Sequence, residues 1–208
     1  MLRFVAALAL TLALLCPSSE AGAQDGDRSV LLVARPGLGD PNFREAVVLV
    51  TESDDGQNIG VIINRPTDRS LASVLPGERF GRFSEPVFFG GPVAPHGLYA
   101  VFRAQKRFAG ALAILPGLQL ALDAATLDEL LQDPPASIRF YAGYAGWAPG
   151  QLRLEIARGD WYVLKADPDL AFLKDTAGLW PRLVRIARSV TAMDSRPPHP
   201  LQWARLAE

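Results

Sequence analysis

Apolar runs separated by turn-forming residues dominate the first half of the chain and predict β-strands there. Ser29–Ala34 is a continuous apolar run, and residues 46–51 form a second one rich in β-branched side chains, as expected of buried strands. Residues 59–64 follow the turn signal Asp54-Asp55-Gly56, so the second and third strands are predicted to form a hairpin. Pro66 is predicted to end the third strand, because proline cannot donate a ladder hydrogen bond.

Shorter apolar segments along the rest of the chain predict further strands. They cover residues 87–89, 98–102, 111–115, 118–122, 137–141 and 161–164.

Three short helices are predicted from capping residues and apolar spacing. Thr126 and Glu129 have the spacing of a capping box. Pro149 is placed in the first turn of a second helix, and residues 177–190 form the clearest amphipathic pattern. The apolar face of that third helix comprises Leu179, Leu183, Ala187 and Val190. Because strands and helices do not alternate regularly, the pattern favours an α+β fold with mixed or antiparallel sheets over a doubly wound sheet.

Residues 1–23 have the pattern of a secretory signal peptide. Arg3 provides the positive start, residues 4–15 form the apolar segment, and residues 21–23 give the small-residue cleavage pattern. Cleavage would leave residues 24–208 as a single domain without cysteine, because Cys16 lies in the leader. We therefore expect a periplasmic or secreted protein with no membrane span after leader removal, the alternative being a cytoplasmic protein if the leader is not genuine.

Composition and charge exclude several classes of protein. The chain has 208 residues, of which 49% are hydrophobic and 21% are charged, which excludes an intrinsically disordered chain. The net charge of −1 and the dispersed arginines argue against direct binding of nucleic acid. One cysteine and two histidines are too few for a disulfide framework or a Cys/His zinc site. No cofactor or metal is expected.

Motifs of catalysis and nucleotide binding are incomplete. Gly37-Leu38-Gly39-Asp40 resembles the start of a dinucleotide loop, but the third glycine and the crossover helix are missing. The local alternative is that Asp40 caps a short turn begun by Pro41. The sequence has no phosphate-binding P-loop and no G-x-S-x-G motif. His96 lies in a predicted loop and His199 in a proline-rich tail, and neither has a nucleophile at motif spacing.

Four segments together resemble the YqgE/AlgH family. They are "LLVARPGLGDPNF" at 31–43, "GVIINRP" at 60–66, "VFFGGPV" at 87–93 and "AGYAGWAPGQL" at 142–152, with Trp161 after the last. The resemblance covers most of residues 24–208 and implies an α+β fold with coiled sheets, built from two related halves. It implies no established enzymatic activity or cofactor, and the family's usual label is transcriptional regulator. The chain departs from the family pattern in its leader and in Arg153, where an acidic residue is common.

The shared segments place polar and flexible residues at the ends of predicted strands, where binding sites tend to lie. We hypothesise that they converge on one pocket or partner surface, with Arg65 supplying a cation and main-chain amides near Gly90 supplying donors. The alternative is that they fix turns and cap strands, with Asn64 in a turn and Arg65 paired with a carboxylate. The candidate residues are Asp40, Asn42, Asn64, Arg65, Gly90 and Gly91.

Three functions are compatible with these features. The first is a non-enzymatic protein that binds a protein partner or a small anionic ligand in the cell envelope. The second is a hydrolase that acts on an anionic small molecule through Asp40, Arg65 or His96. The third is a transcriptional regulator in the cytoplasm, which requires that residues 1–23 are not a signal peptide.

Overall fold

A computed structural model describes residues 28–75 and 77–193, whose strands form a ten-stranded sheet. The predicted leader, Cys16 and His199 lie outside the described residues. The strands are β1 (Ser29–Ala34), β2 (Val47–Glu52), β3 (Asn58–Ile62), β4 (Pro66–Ser70), β5 (Pro86–Phe89), β6 (Val93–Arg103), β7 (Ala111–Leu115), β8 (Leu118–Ala121), β9 (Ile138–Trp147) and β10 (Trp161–Lys165). The α-helices are α1 (Leu71–Val74), α2 (Ala124–Gln132), α3 (Gln151–Arg158) and α4 (Leu179–Met193). Short 3₁₀ helices cover Glu78–Arg82 and Leu170–Phe172.

The strands follow the order β10-β1-β2-β3-β9-β6-β8-β7, and β5 joins β4 to β9. Within the described residues the pairings are antiparallel except that of β5 with β9, where Phe88 faces Tyr141. The long strand β9 pairs with β5 and β6 over residues 138–144 and with β3 over residues 145–147. It therefore connects the strands from the beginning of the chain to those from its middle.

The sheet curls until its β7 end approaches β1 and β2. Ser29 Oγ donates to the carbonyl oxygen of Ile114, and Thr51 Oγ1 donates to that of Ala113 at 3.4 Å. The curl encloses a buried apolar cluster contributed by most of the strands and by α4. A strand whose two faces are both covered must be apolar throughout, which explains the unbroken runs in β1 and β2.

Two further apolar clusters cover the outer faces of the sheet. One lies where α3 packs against β10 and includes Phe43, Trp147, Leu152 and Trp161. The other lies beneath α2 and includes Phe102, Leu127 and Phe140. The helix α4 packs against β1 and β10.

The structure confirms the predicted α+β fold and the hairpin of β2 and β3, in which Thr51 faces Ile59. Strand β3 ends at Ile62, but Pro66 begins the next strand instead of only closing the previous one. A proline is compatible with the first position of a strand, and among the described strands β4 pairs with β5 alone.

Two helix-start predictions are wrong in position. The cap of α2 is Asp123, whose carboxylate accepts the Thr126 amide at 2.7 Å, so Thr126 lies inside the helix and not at its cap. The cap of α3 is Gly150, which leaves Pro149 just before the helix. On α4, Leu179, Leu183 and Ala187 are buried as predicted. Val190, the last residue of the predicted face, is 55% exposed.

None of the helices within residues 28–75 and 77–193 is long and apolar enough to cross a membrane.

Candidate functional site

The connection from β1 to β2 contains the first group of candidate residues, in a tight turn over residues 41–45. The Asp40 carboxylate accepts the Asn42 amide at 2.8 Å, and the Asp40 carbonyl accepts the Phe43 amide at 3.1 Å. An aspartate that accepts from the residue two positions on is typical of turn initiation. The local prediction for Asp40 and Pro41 is therefore confirmed.

Asn64 fixes the end of this turn. Its Oδ1 accepts the Val47 amide at 2.8 Å, and its Nδ2 donates to the Glu45 carbonyl at 2.9 Å. Glu45 has a φ of +56°, a left-handed conformation that is costly for a residue other than glycine. The side-chain amide of Asn64 binds the carbonyl of this strained residue and the N–H two positions further on, and thereby stabilises the turn.

Arg65 fixes the middle of the same turn. Its Nη1 donates to the Asn42 carbonyl at 2.6 Å and its Nη2 to the Arg44 carbonyl at 2.8 Å. The guanidinium also lies over Phe89, 5.7 Å from the ring centre. Partial burial lowers the pKa of Arg65 from its ordinary value. The partners of Arg65 are thus carbonyl oxygens, and the alternative that it pairs with a carboxylate is wrong.

We call the contacts of the Asn64 and Arg65 side chains with the main chain of residues 42–47 the clamp. Gly90 and Gly91 lie next to this clamp, after β5. The Phe89 amide donates to the Arg65 carbonyl at 2.8 Å, and the Gly90 amide donates to the Ala142 carbonyl at 2.9 Å. A Cβ at Gly91 would lie 2.4 Å from the main chain of Tyr144, so only glycine permits this close approach of two backbones.

The structure thus brings all six candidate residues into one neighbourhood. Asp40 is linked through Asn42 to Arg65, and Arg65 is linked through Phe89 to Gly90. The groups that we expected to hold an anion are engaged within the protein, since Arg65 donates to carbonyls and the Gly90 amide donates to Ala142. Ligand binding by these residues stays a prediction.

What the clamp leaves accessible is the outer side of the connection. We define the clamped loop as residues 36–45. Apart from Leu38 and Phe43, its residues are exposed, including Asp40, Arg44 and Glu45. Phe43 anchors the loop, because its ring packs against the rings of Trp147 and Trp161. The distance between ring centres is 5.5 Å in both pairs.

Sequence reasoning missed the residue that organises this aromatic anchor. Glu155 Oε2 accepts the indole N–H of Trp147 at 2.9 Å and that of Trp161 at 3.0 Å. Glu155 Oε1 also accepts Gln151 Nε2 at 3.0 Å. One carboxylate therefore joins the fourth family-like segment to Trp161. The signal in the sequence was weak: Glu155 is an acidic residue two positions after Arg153, where the family commonly has an acidic residue.

His96, the histidine of the hydrolase alternative, lies inside β6 and not in a loop. The pairing of β6 with β9 shifts register between Val93 and Leu98, and His96 is exposed on this irregular part. Among the residues that the structure describes, no group of three or more His, Cys, Asp or Glu side chains is placed to hold a metal ion.

Known proteins similar to this chain share the fold described above. The solution structure of the AlgH protein from Pseudomonas aeruginosa superposes with a TM-score of 0.64 at 25% identity, covering 86% of this chain and 97% of that one. Protein DIP2367 from Corynebacterium diphtheriae superposes with a TM-score of 0.60 at 25% identity, covering 83% of this chain and 89% of that one.

Sequence comparison leads to the same group. A UPF0301 protein of Thermobifida fusca is 39% identical over 81% of this chain and 91% of its own length. A UPF0301 protein of Myxococcus xanthus is 36% identical over 74% of this chain and 87% of its own length. The AlgH-like family model matches residues 31–189, a range that includes the clamped loop, Arg65, the two glycines and Glu155. The chain therefore belongs to the AlgH-like family.

Proposed function

We propose that this protein is an exported, non-enzymatic binding protein that holds a protein partner on its clamped loop. The observation that carries the proposal is the clamp itself. Asn64 and Arg65 use their side chains to fix the carbonyls of Asn42, Arg44 and Glu45, while the side chains of the loop other than Leu38 and Phe43 are exposed. A loop that is ordered before binding loses less conformational entropy when a partner docks.

A protein partner fits the chemistry of this surface better than a small anion does. Asp40, Arg44 and Glu45 place both signs of charge within a few residues of one another. The Arg65 guanidinium, which would attract an anion, is engaged by two carbonyls. Mixed charges around an ordered loop favour an opposing surface with complementary charges.

Export is the part of the proposal that rests on the sequence alone. The charge, apolar run and small-residue site of residues 1–23 support it. N-terminal sequencing of the protein from fractionated cells tests it. A chain that begins at Gln24 in the envelope or secreted fraction supports export, and an intact Met1 in the cytosol contradicts it.

Partner binding is tested by comparing two arginine variants of the protein produced from its full-length sequence. Arg44→Glu reverses a charge on the clamped loop, and Arg153→Glu makes the same change at an exposed position on α3. We expect the wild type and Arg153→Glu to capture the same protein from envelope extracts, and Arg44→Glu to capture at least tenfold less of it. Equal capture by all three proteins, or capture of none, contradicts the proposed surface.

A further inference from the structure

A second feature, distinct from the clamped loop, is a small pocket between the segment that leads into β5 and the start of β9. Its volume is about 170 Å³, close to the roughly 150 Å³ in which an engineered protein cavity binds benzene. The polar residues that line it are Arg82, Ser84, Glu85 and Arg139, and the apolar ones include Phe83, Ile138 and Phe140.

Arg139 is the unusual residue of this pocket, because its side chain is only 1% exposed. Its Nη1 donates to the carbonyls of Ala171 and Leu173, at 3.0 Å in each case. Its guanidinium lies over the Phe88 ring, 4.4 Å from the centre. These contacts fix the plane of the guanidinium, so that its remaining edge has a defined direction.

Only one of the two nitrogens on that remaining edge, Nη2, has a hydrogen-bond partner in the protein. Nη2 donates to one oxygen of Glu85 at 3.1 Å, and the buried Nε has no hydrogen-bond partner in the protein. Nε and Nη2 form the side of a guanidinium that matches the two oxygens of a carboxylate. Leaving a buried donor without a partner is unfavourable, so a second oxygen on this edge would be stabilising.

Glu85 is placed to yield its position. Its side chain is 47% exposed, so it can turn into water at little desolvation cost. Its single contact with Arg139 shows that a carboxylate oxygen reaches this edge from the pocket side, since Glu85 itself lines the pocket. An incoming carboxylate would make the same contact and could add the one to Nε.

We propose that this pocket binds a small organic carboxylate, which displaces Glu85 from Arg139 and occupies both Nε and Nη2. The aromatic and aliphatic lining accommodates the apolar part of the acid, and the volume limits that part to about one ring. Charge and shape then both contribute to recognition, and the neutral amide of the same acid is excluded because it cannot offer two acceptor oxygens.

The test is a titration followed by amide chemical shifts, using the protein produced from its full-length sequence and the probes benzoate, benzamide and inorganic phosphate. We expect benzoate to shift the amides of residues 84–86 and 138–140 and to bind at least tenfold more tightly than benzamide or phosphate. Equal binding of benzamide, tighter binding of phosphate, or no binding of benzoate overturns the proposal.

Two substitutions and a control separate displacement from incidental binding. Glu85→Gln removes the competing charge and should tighten benzoate binding about tenfold. Glu78→Gln, at an exposed position that does not line the pocket, should leave it unchanged. Arg139→Lys should weaken binding at least tenfold, because lysine has no bidentate edge. Should the lysine variant not fold, the Glu85→Gln result decides alone: unchanged or weaker binding in that variant overturns the proposal.

Discussion

The guanidinium of Arg65 donates to the main-chain carbonyl of Asn42 at 2.6 Å, although the two residues are separated by 23 positions. The second nitrogen reaches the carbonyl of Arg44 at 2.8 Å. A side chain on the connection after β3 thus determines the shape of the connection between β1 and β2. The polar residues of the family-like segments therefore form hydrogen bonds with one another's segments within the protein.

Arg65→Lys should loosen the clamped loop without abolishing the fold. A lysine offers a point charge on a flexible stem and cannot present two nitrogens in a fixed fork, so at least one carbonyl contact is lost. The expected cost is about 1–2 kcal/mol of unfolding free energy, with faster amide hydrogen exchange at residues 42–46. Arg44→Lys, on the exposed side of the loop, is the control. Equal exchange rates in the two variants would show that the fork does not order the loop.

Glu155→Ala should destabilise the protein far more than an ordinary helix-surface change. Trp147 and Trp161 are only 2% and 3% exposed, and both would lose the acceptor of their indole N–H. Each unpaired buried donor costs about 1–3 kcal/mol, so we expect a loss of about 2–5 kcal/mol in denaturant unfolding. Arg158→Ala, at the exposed end of α3, should change stability by less than about 1 kcal/mol. A similar small loss in Glu155→Ala would argue that water replaces the carboxylate.

The sequence predicted the parts of the structure that depend on local pattern. Apolar runs located the strands of the β2–β3 hairpin, because burial of both faces imposes such runs. The family-like segments also predicted that Arg65 lies near Asp40 and Gly90, as the structure shows. The role of Arg65 was not predictable, because a guanidinium that holds carbonyls and one that holds an anion have the same local sequence.

The parts that sequence could not supply depend on contacts between distant segments. The predicted cap of α2 is wrong because Asp123 and Thr126 are both good capping residues, and only packing selects one of them. Arg139 was counted as part of an apolar strand, although a single charge in such a run is itself a signal of a buried pairing. Its partners on residues 171 and 173 come from a different part of the chain.

Gly143→Ala should prevent the close packing of the third and fourth family-like segments. Gly143 has a φ of +69°, and a Cβ there would lie 2.4 Å from the carbonyl oxygen of Gly91. Main-chain atoms in a sheet cannot move away cheaply, so we expect a loss above about 3 kcal/mol, measured by thermal unfolding. Gly39→Ala, with no atom within 4 Å of its Cβ position, should leave the unfolding temperature nearly unchanged. Similar unfolding temperatures for the two variants would contradict the proposed contact.

Tyr141→Phe should increase stability, and most strongly in alkaline solution. The Tyr141 hydroxyl is buried without a hydrogen-bond partner, and burial raises the pKa of this phenol, an effect that nearby Arg139 partly offsets. The folded protein therefore keeps the proton above about pH 10, where an unfolded tyrosine releases it. Unfolding is then favoured as pH rises through that value, because the unfolded state binds fewer protons.

In the Tyr141→Phe variant this alkaline loss of stability should be smaller, and the unfolding free energy at pH 7 should rise by about 1 kcal/mol because an unpaired hydroxyl is removed. Urea unfolding between pH 7 and 11 measures both effects. Tyr162→Phe removes a hydroxyl that accepts from Arg188 at 3.4 Å, and this control should retain the full decline above pH 10. A decline of both variants in parallel with the wild type would contradict this prediction. The buried Tyr141 hydroxyl, whose ring lies 5.9 Å from that of Phe88, would then ionise in the folded protein.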